Sequence, residues 1–208
     1  MIELFLKGGG FMYPILFFLV FGLAVSIERV ISLSRASINT RKFMEKIKGA
    51  LDEGGVEAAK EVCESTRGPI ASIFHAGLMR MDKGIDYVEK AIMNAGSIEM
   101  AFLERGLVWL GTVISLAPML GFTGTVAGMI QSFEAIAAAN EISPSIVASG
   151  ISVALLTTAF GLVTAILIQF FHNYFVSKVD RIIIDMEESS VAFVDTLLER
   201  QSQSKGTT

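Results

Sequence analysis

The sequence predicts an all-α integral membrane protein with three transmembrane helices and long helical cytosolic extensions. Two observations lead to this fold class. The 208-residue chain is 52% hydrophobic, and its mean hydropathy of +0.58 is high for a soluble protein. Its charges are also segregated, because 107–133 and 142–177 contain no Asp, Glu, Lys or Arg. Each of these runs exceeds the roughly 20 apolar residues with which a helix crosses a bilayer.

The first span is predicted at 8–27, a run rich in phenylalanine and leucine. A cleaved signal peptide is the alternative, because Ala24, Val25 and Ser26 loosely fit a small-x-small cleavage site. The apolar run is long for a signal core, and the segment before it has only Lys7 as a basic residue. We therefore expect a retained span, preceded by a short apolar segment at the membrane interface.

The distribution of Lys and Arg predicts the orientation of the spans, since these residues concentrate on the cytoplasmic side. The first and third spans are followed by basic residues, whereas the connection between the second and third spans has none. The amino terminus is then periplasmic and the carboxyl terminus cytoplasmic. The predicted segments are an N-terminal interfacial segment with transmembrane helix 1 (1–33), a cytosolic helical domain (34–105), transmembrane helix 2 (106–137), a short periplasmic turn (138–146), transmembrane helix 3 (147–177), a cytosolic C-terminal helix (178–200) and a disordered tail (201–208).

The cytosolic segments read as amphipathic helices separated by glycine and proline breaks. Asn39 or Thr40 is expected to cap the first of them. The breaks are expected at Gly54-Gly55, at Gly68-Pro69, where Pro69 starts the next helix, and at Lys83-Gly84. Apolar residues at helical spacing are expected to form packing faces: Phe43, Ile47, Leu51, Ile70, Ile73, Phe74, Leu78, Met81, Val88, Ile92, Ile98, Phe102, Ile183, Met186, Phe193 and Leu197.

Composition excludes several classes of function. The net charge of -4 gives no reason to expect nucleic-acid binding, and the single cysteine, Cys63, excludes an internal disulfide framework. The sequence has no nucleophile–base pattern, phosphate loop or metal-ligand cluster. We therefore expect neither an enzyme nor a bound cofactor or metal, and we interpret Cys63 as an ordinary thiol.

The second and third spans each carry a seam of small and hydroxyl residues at alternating spacings of three and four, which places the members of each seam on one helix face. One hypothesis is that the seams serve only close helix packing, with each threonine bonded to its own preceding turn. The other is that the threonines line an ion path. The packing residues are Pro118, Gly121, Gly128, Ala154 and Gly161, and the candidate ion-pathway residues are Thr125, Thr157 and Thr158.

No span has an acidic residue or a lysine near its centre. Glu28 and Glu134 lie at span ends, and His172 is near the cytosolic end of the third span. Threonine does not titrate in a useful range, and proton pumps relay protons through ionisable side chains. If protons cross here, the carboxylate must come from another chain.

Three long segments of the chain resemble the MotA/TolQ/ExbB family of bacterial inner-membrane motor stators, nearest to the ExbB and TolQ branch. They are Leu103–Leu107, Ala117–Ile130 and Ala154–Leu162. The resemblance implies a homopentamer around a dimer of an ExbD/TolR-like single-span subunit whose helix carries an aspartate. It further implies ion-driven energy transduction to the cell envelope through a TonB- or TolA-like transducer. By position, Thr125 and Thr158 match the threonines that face that aspartate.

One departure from the family pattern concerns the transported ion. ExbB and TolQ relatives usually carry a glutamate five residues before the threonine that matches Thr158, and here that position is Val153. The residue before Thr158, often alanine in proton-driven relatives, is Thr157. A missing acid and an added hydroxyl resemble sodium-driven stators, so H⁺ is the expected ion and Na⁺ at Thr157 and Thr158 the alternative. A structural scaffold without ion conduction is the other alternative.

Overall fold

The computed structural model describes residues 2–139 and 144–206, and the side chains of 4–138 and 147–202. Within these residues the chain is almost entirely helical and has no strand, which confirms the predicted all-α class. The helices are α1 (Ile2–Lys7), α2 (Met12–Ala36), α3 (Thr40–Ser65), α4 (Pro69–Leu78), a 3₁₀ turn (Met81–Lys83), α5 (Ile85–Glu104), α6 (Leu107–Ala139) and α7 (Pro144–Gly206).

Three helical stretches among the described residues are long and apolar enough to cross a membrane, with mean hydropathies of 2.1, 1.7 and 2.3. They lie in α2, in α6 and in the first part of α7. Only 22%, 28% and 33% of their residues are buried inside the chain. Most of their apolar surface therefore faces outward, as expected for contact with lipid or with other membrane helices.

Two predicted segments end differently or fall partly outside the described residues. The predicted turn covers 138–146, and its residues 140–143 lie outside the described residues. On either side of them, α6 ends at Ala139 and α7 begins at Pro144. The structure continues α7 to Gly206, into the tail for which the sequence predicts disorder, because no helix breaker precedes Gly206; 207–208 are outside the described residues.

The chain forms two compact units. The membrane unit comprises Met1–Arg29 and Gly106–Phe175, and the polar unit comprises Val30–Arg105 and Val176–Thr208. The membrane unit holds nearly all of the three apolar stretches, whereas the polar unit carries most of the charged residues.

The predicted caps and breaks of the polar unit are confirmed. Asn39 caps α3, and its side-chain oxygen accepts a hydrogen bond from the backbone N–H of Lys42 at 3.1 Å. Gly55 interrupts α3 with φ 69° and ψ −155°, a backbone conformation that residues other than glycine rarely adopt. Pro69 is the first residue of α4, and Gly84, with φ 101°, precedes α5.

Three phenylalanines from different helices pack together in the core of the polar unit. The Phe74 ring from α4 lies 4.1 Å from the Phe193 ring of α7 and 5.7 Å from the Phe43 ring of α3, centroid to centroid. All three side chains are buried. Most of the predicted apolar stripes are also buried, which confirms them as packing faces: Ile47, Leu51, Ile70, Ile73, Leu78, Val88, Ile92, Met186 and Leu197.

The prediction is wrong at the end of the α5 stripe. Ile98 and Phe102 are about 60% exposed in the chain, whereas Val88 and Ile92 are buried. The reason is helical geometry: the step of six residues from Ile92 to Ile98 leaves the side chain of Ile98 about 120° around the helix from the buried face.

In the membrane unit α2 packs against both other spans. A Cβ atom added to Gly22 would lie 2.8 Å from Ile168 of α7 and 3.4 Å from Val113 of α6. The Phe21 and Trp109 rings meet edge to face at 6.1 Å. Glycine at position 22 therefore lets α2 approach α6 and α7 closely.

The backbones of α6 and α7 approach each other along the predicted packing seam. A Cβ atom on Gly161 would lie 2.6 Å from the carbonyl oxygen of Ala117 and 3.2 Å from Cα of Gly121. A Cβ on Gly121 would lie 2.9 Å from the carbonyl oxygen of Thr157, and one on Gly128 would lie 3.1 Å from Cβ of Ala154. The nearest atoms are mostly backbone, so they cannot move aside by a rotamer change.

We expect Gly161→Ala to destabilise the membrane unit by about 1–3 kcal/mol, the usual cost of overpacking. The added methyl group would press directly on the α6 backbone. Gly111→Ala is the matched control, because nothing lies within 4 Å of a Cβ at that position. Thermal unfolding in detergent, followed by circular dichroism, measures both. Equal melting temperatures for the two variants would contradict the packing described here.

Cys63 is buried in α3, and burial, with a smaller contribution from the adjacent Glu64 carboxylate, raises its pKa from 9.0 to about 12. We expect its thiol to react with Ellman's reagent at pH 8 at least about 100-fold more slowly in the folded protein than after unfolding, because only the thiolate attacks. The raised pKa also stabilises the fold below pH 9, and that contribution is lost as the pH rises toward 12. Rapid labelling of the folded protein would show that the thiol is accessible.

Candidate functional site

Two threonine hydroxyls join α6 to α7 in the middle of the charge-free spans. Thr125 Oγ1 and Thr158 Oγ1 are hydrogen-bonded to each other across the two helices. Thr125 Oγ1 also donates toward the carbonyl oxygen of Ala154 at 3.0 Å, and Thr158 Oγ1 toward that of Gly121 at 3.2 Å. The hydroxyls can approach so closely because Gly121 has no side chain between the helices.

This threonine cluster, made of the Thr125 and Thr158 hydroxyls with the Gly121 and Ala154 carbonyls, has more acceptors than protons. A hydroxyl carries one proton and two lone pairs, and a carbonyl oxygen carries no proton. Thr125 Oγ1 also lies 3.3 Å from the Gly121 carbonyl, so four contacts share two protons. The cluster can therefore accept a further hydrogen bond or a small cation, and it has little capacity to donate.

The cluster can be reached from outside the chain. Thr125 and Thr158 are both half-buried, and their neighbours Phe122, Val126 and Leu155 are exposed. This part of the membrane unit therefore presents oxygen atoms within an apolar outer surface. No Asp, Glu, Lys or Arg lies within either charge-free run. The charged residues that flank the runs include Arg105, Glu134 and Lys178.

Thr157, the third predicted pathway residue, occupies a different position. Its side chain is completely buried, and its hydroxyl donates to the Ala154 carbonyl one turn earlier at 2.9 Å. A Cβ on Gly124 would lie 2.6 Å from Thr157 Oγ1, so Thr157 fills the space that this glycine leaves. Thr157 thus lies in the contact between α6 and α7, whereas Thr125 and Thr158 lie at its edge.

Sequence reasoning missed two glycines of this contact. Gly124 receives Thr157, and a Cβ on Gly150 would collide with Ser132 Oγ, whose hydroxyl donates to the Gly128 carbonyl at 3.1 Å. The spacing of Gly121, Gly124 and Gly128 already contains the signal, since steps of three and four also place these residues on one face. Pro118, at the half-buried edge of the same helix, removes one backbone donor from α6 without ending the helix.

The remaining candidate residues lie at the ends of the spans. Glu134 is exposed near the end of α6. Arg29 is buried at the end of the membrane unit and pairs with the exposed Glu28 carboxylate, with Nε 2.6 Å from Oε2. His172 is half-buried, and its Nδ1 atom is sealed from solvent without a hydrogen-bond partner among the described residues. The described residues contain no group of three or more His, Cys, Asp or Glu that could hold a metal ion.

Comparison with known proteins agrees with this architecture. The family model of the MotA/TolQ/ExbB proton channel family matches residues 65–188, which include the threonine cluster. The chain is 31% identical, over 86% of its length, to a putative biopolymer transport protein ExbB homolog of Methanothermobacter thermautotrophicus. It is 32% identical, over 80% of its length, to the putative biopolymer transport protein ExbB-like 1 of Synechocystis.

A third relative is the Tol-Pal system protein TolQ of Pseudomonas aeruginosa, which is 30% identical over 70% of this chain and 71% of the relative. The chain spans 64% and 66% of the length of the Methanothermobacter and Synechocystis relatives. The family match covers more than half of the chain, and it includes α6 and the part of α7 that carries Thr158. The chain therefore belongs to the MotA/TolQ/ExbB proton channel family, in its ExbB/TolQ branch.

Proposed function

We propose that the chain is an ion-conducting stator subunit of the bacterial inner membrane, which couples ion flow to mechanical work on the cell envelope. The observation that carries this proposal is the threonine cluster. Thr125 and Thr158 place acceptor oxygens in the middle of two charge-free spans, at an accessible edge of the helix contact. A purely structural seam does not require its hydroxyls at an accessible edge.

The chemistry of the cluster suits a titratable group from another chain. A protonated carboxylic acid can donate to the surplus lone pairs of Thr125 and Thr158, whereas an ionised carboxylate finds few donors there. Protonation would then bring the carboxyl group to the cluster, and loss of the proton would release it. The chain itself has no carboxylate in the spans, so the acid belongs to a partner.

We propose that this partner is an ExbD/TolR-like single-span subunit with a transmembrane aspartate, and that five copies of the chain surround a dimer of it. The names of the relatives, biopolymer transport protein ExbB and Tol-Pal system protein TolQ, support a place in envelope energy transduction. A TonB- or TolA-like protein would receive the force. Each proton that crosses 100 mV supplies about 2.3 kcal/mol.

The proposed orientation has the amino terminus in the periplasm and the carboxyl terminus in the cytoplasm. It rests on the excess of Lys and Arg after α2's apolar stretch and after Ser177, and on their absence between the second and third spans. The polar unit is then cytoplasmic, and the connection between α6 and α7 is periplasmic.

Sodium is the alternative ion, and the oxygen content of the cluster favours it. Two hydroxyls and two carbonyls within hydrogen-bond distance of each other are the ligand types that hard cations prefer. Val153, in place of the glutamate usual in the branch, lies 3.5 Å from where a Cβ on Gly9 would be, in an apolar contact. The proton remains our first proposal because it is the ion for which the family is named.

We expect Thr158→Val to reduce ion flux at least about tenfold, the loss that corresponds to one hydrogen bond to a charged or titrating group. Valine keeps the volume but removes the hydroxyl. Thr158→Ser should retain most of the flux. Thr112→Val is the matched control, because among the described residues the Thr112 hydroxyl bonds only to the Val108 carbonyl of its own helix, at 2.9 Å. Flux is measured in inverted membrane vesicles that contain the chain and its single-span partner.

The same experiment separates conduction from a scaffold role. A scaffold without ion conduction predicts the same background flux in the wild type and in Thr158→Val, and normal assembly of the variant, because valine keeps the volume. Size-exclusion chromatography of each complex therefore accompanies the flux measurement. Wild-type flux in Thr158→Val would remove Thr158 from the ion path.

We also expect activity to persist when all Na⁺ is replaced by K⁺ and to be abolished by a protonophore, because a proton-coupled cluster does not need a coordinated metal cation. The measurement is work-dependent activity in cells or vesicles at constant membrane potential. Loss of activity in K⁺ that returns with added Na⁺ would instead establish sodium as the coupling ion.

A further inference from the structure

A groove runs along the polar unit between α5 and the last part of α7. It consists of two adjoining cavities of about 480 and 270 Å³. The two cavities share four lining residues, Ile92, Met93, Ser190 and Val191. Gly96 also lines the groove and has no side chain to fill it. Along α7 the groove extends from Ile183 to Leu198, about 22 Å, which is the length of a helix of about four turns.

The groove combines an apolar lining with acidic groups. Its lining includes three methionines, Met93, Met100 and Met186. Methionine side chains are flexible, so they can adapt to apolar side chains that insert between them. The charged residues among the described lining are all acidic: Glu89, Glu187 and Asp195. A groove of this kind is suited to an amphipathic helix that carries apolar side chains together with Lys or Arg.

On the other side of α5 lies an exposed apolar surface, which we call the outer face of α5. Its members follow one another in steps of four, four, three and four residues, which places them on one side of the helix. They are Tyr87, Ala91, Ala95, Ile98 and Phe102. The three large side chains of this set are each more than half exposed. Because Gly96 is two residues from Ile98, the groove and the outer face lie about 160° apart around α5.

Basic groups lie at both ends of the outer face. The Lys90 ammonium group lies 6.0 Å from the centre of the Tyr87 ring. Arg105 is exposed and continues the outer face by one further step of three residues. The adjacent acid, Glu99, is half-buried two turns beyond the buried Ile92, so it belongs to the core side of α5. The outer face is therefore one side of an amphipathic helix with basic ends.

A second copy of the chain thus offers the kind of helix that the groove is suited to accept. The outer face extends from Tyr87 to Phe102, about 22 Å, which matches the length of the groove along α7. Exposed apolar surfaces of this size in a polar domain mark interaction sites. The groove and the outer face are different surfaces on opposite sides of one helix. A contact between them is heterologous, and repetition of such a contact produces a closed ring.

We propose that the outer face of α5 in one copy docks in the groove between α5 and α7 of the next copy, so that the polar units form a ring. This inference rests on the five-copy assembly of the proposed function, and it names surfaces that join the copies. Ring symmetry places each residue at the same height in every copy. Lys90 of one copy is then level with Glu89 of the next, at the end of the groove that Asp195 also lines. Opposite charges thus meet where the apolar surfaces meet.

Disulfide cross-linking tests this contact in the full chain, in membranes that also contain the single-span partner. The double variant carries Ala95→Cys on the outer face and Ser190→Cys in the groove. Two cysteines form a disulfide only when their Cα atoms come within about 7 Å. A second pair, Ala91→Cys with Ser190→Cys, covers a register that differs by one turn. We expect mild oxidation of at least one pair to give a ladder of up to five linked chains on a non-reducing gel.

Single-cysteine variants and a distant pair are the controls. We expect each single variant to stay monomeric on the gel, because a heterologous contact joins unlike surfaces. These variants also measure any background from the natural Cys63, which is buried. Ser65→Cys with Ser190→Cys is the distant pair, since Ser65 is exposed on α3 and belongs to neither surface. We expect no ladder from it.

A third substitution tests whether the apolar contact joins the copies. In the double variant that gives the ladder, we expect Ile98→Asp to lower the ladder yield at least about tenfold, because it brings an unpaired carboxylate into an acidic groove. Met79→Asp is the matched control, since Met79 is 54% exposed, Ile98 is 59% exposed, and Met79 belongs to neither surface. We expect its yield to stay within about twofold. Circular dichroism checks that both variants keep their helices.

The absence of a ladder from both cysteine pairs overturns the proposal, and a helix of another protein in the groove would give that result. Dimers from a single-cysteine variant also overturn it, because like surfaces would then meet. So does an undiminished ladder in Ile98→Asp. A ladder that ends at a number other than five supports the contact and contradicts only the five copies of the proposed function. Normal flux in Thr158→Val with an intact ladder would contradict the proposed ion path and support this contact.

Discussion

The close approach of the α6 and α7 backbones is the constraint on which the rest of the membrane unit depends. Gly121, Gly128 and Gly161 leave no room for side chains at this contact. Without that approach the Thr125 and Thr158 hydroxyls could not bond to each other or reach carbonyls on the opposite helix. Because lipid tails are as apolar as leucine, helices in a membrane associate through such packing and hydrogen bonds and gain little from hydrophobic burial.

The same contact divides the threonines by role. Thr157 is locked inside it against Gly124, whereas Thr125 and Thr158 remain at its accessible edge. A pair of hydroxyls with surplus lone pairs is a receptor for a proton donor or a cation, and it cannot itself carry charge. The proposed division of labour follows: the chain provides the walls and the acceptors, and a partner helix provides the titratable group.

Much of the fold could be predicted from local signals in the sequence. The charge-free runs, the cap at Asn39 and the breaks at Gly55 and Pro69 depend on neighbouring residues only, and they lie where predicted. Side-chain direction was harder. A stripe extended by six residues placed Ile98 on the wrong face, and spacing could not distinguish buried Thr157 from accessible Thr158. The burial of His172 Nδ1, for which the described residues provide no hydrogen-bond partner, could not be predicted either, since it depends on side-chain packing.

The central claim is that Thr125 and Thr158 face a titratable helix from another chain. A cryo-electron microscopy map of the complex in a lipid nanodisc tests it most directly. The account predicts helical density that belongs to a single-span partner, with an acidic side chain within hydrogen-bond reach of the Thr125 and Thr158 hydroxyls in at least one subunit. A map in which both hydroxyls face acyl chains, with no foreign helix beside α6 and α7, would contradict it.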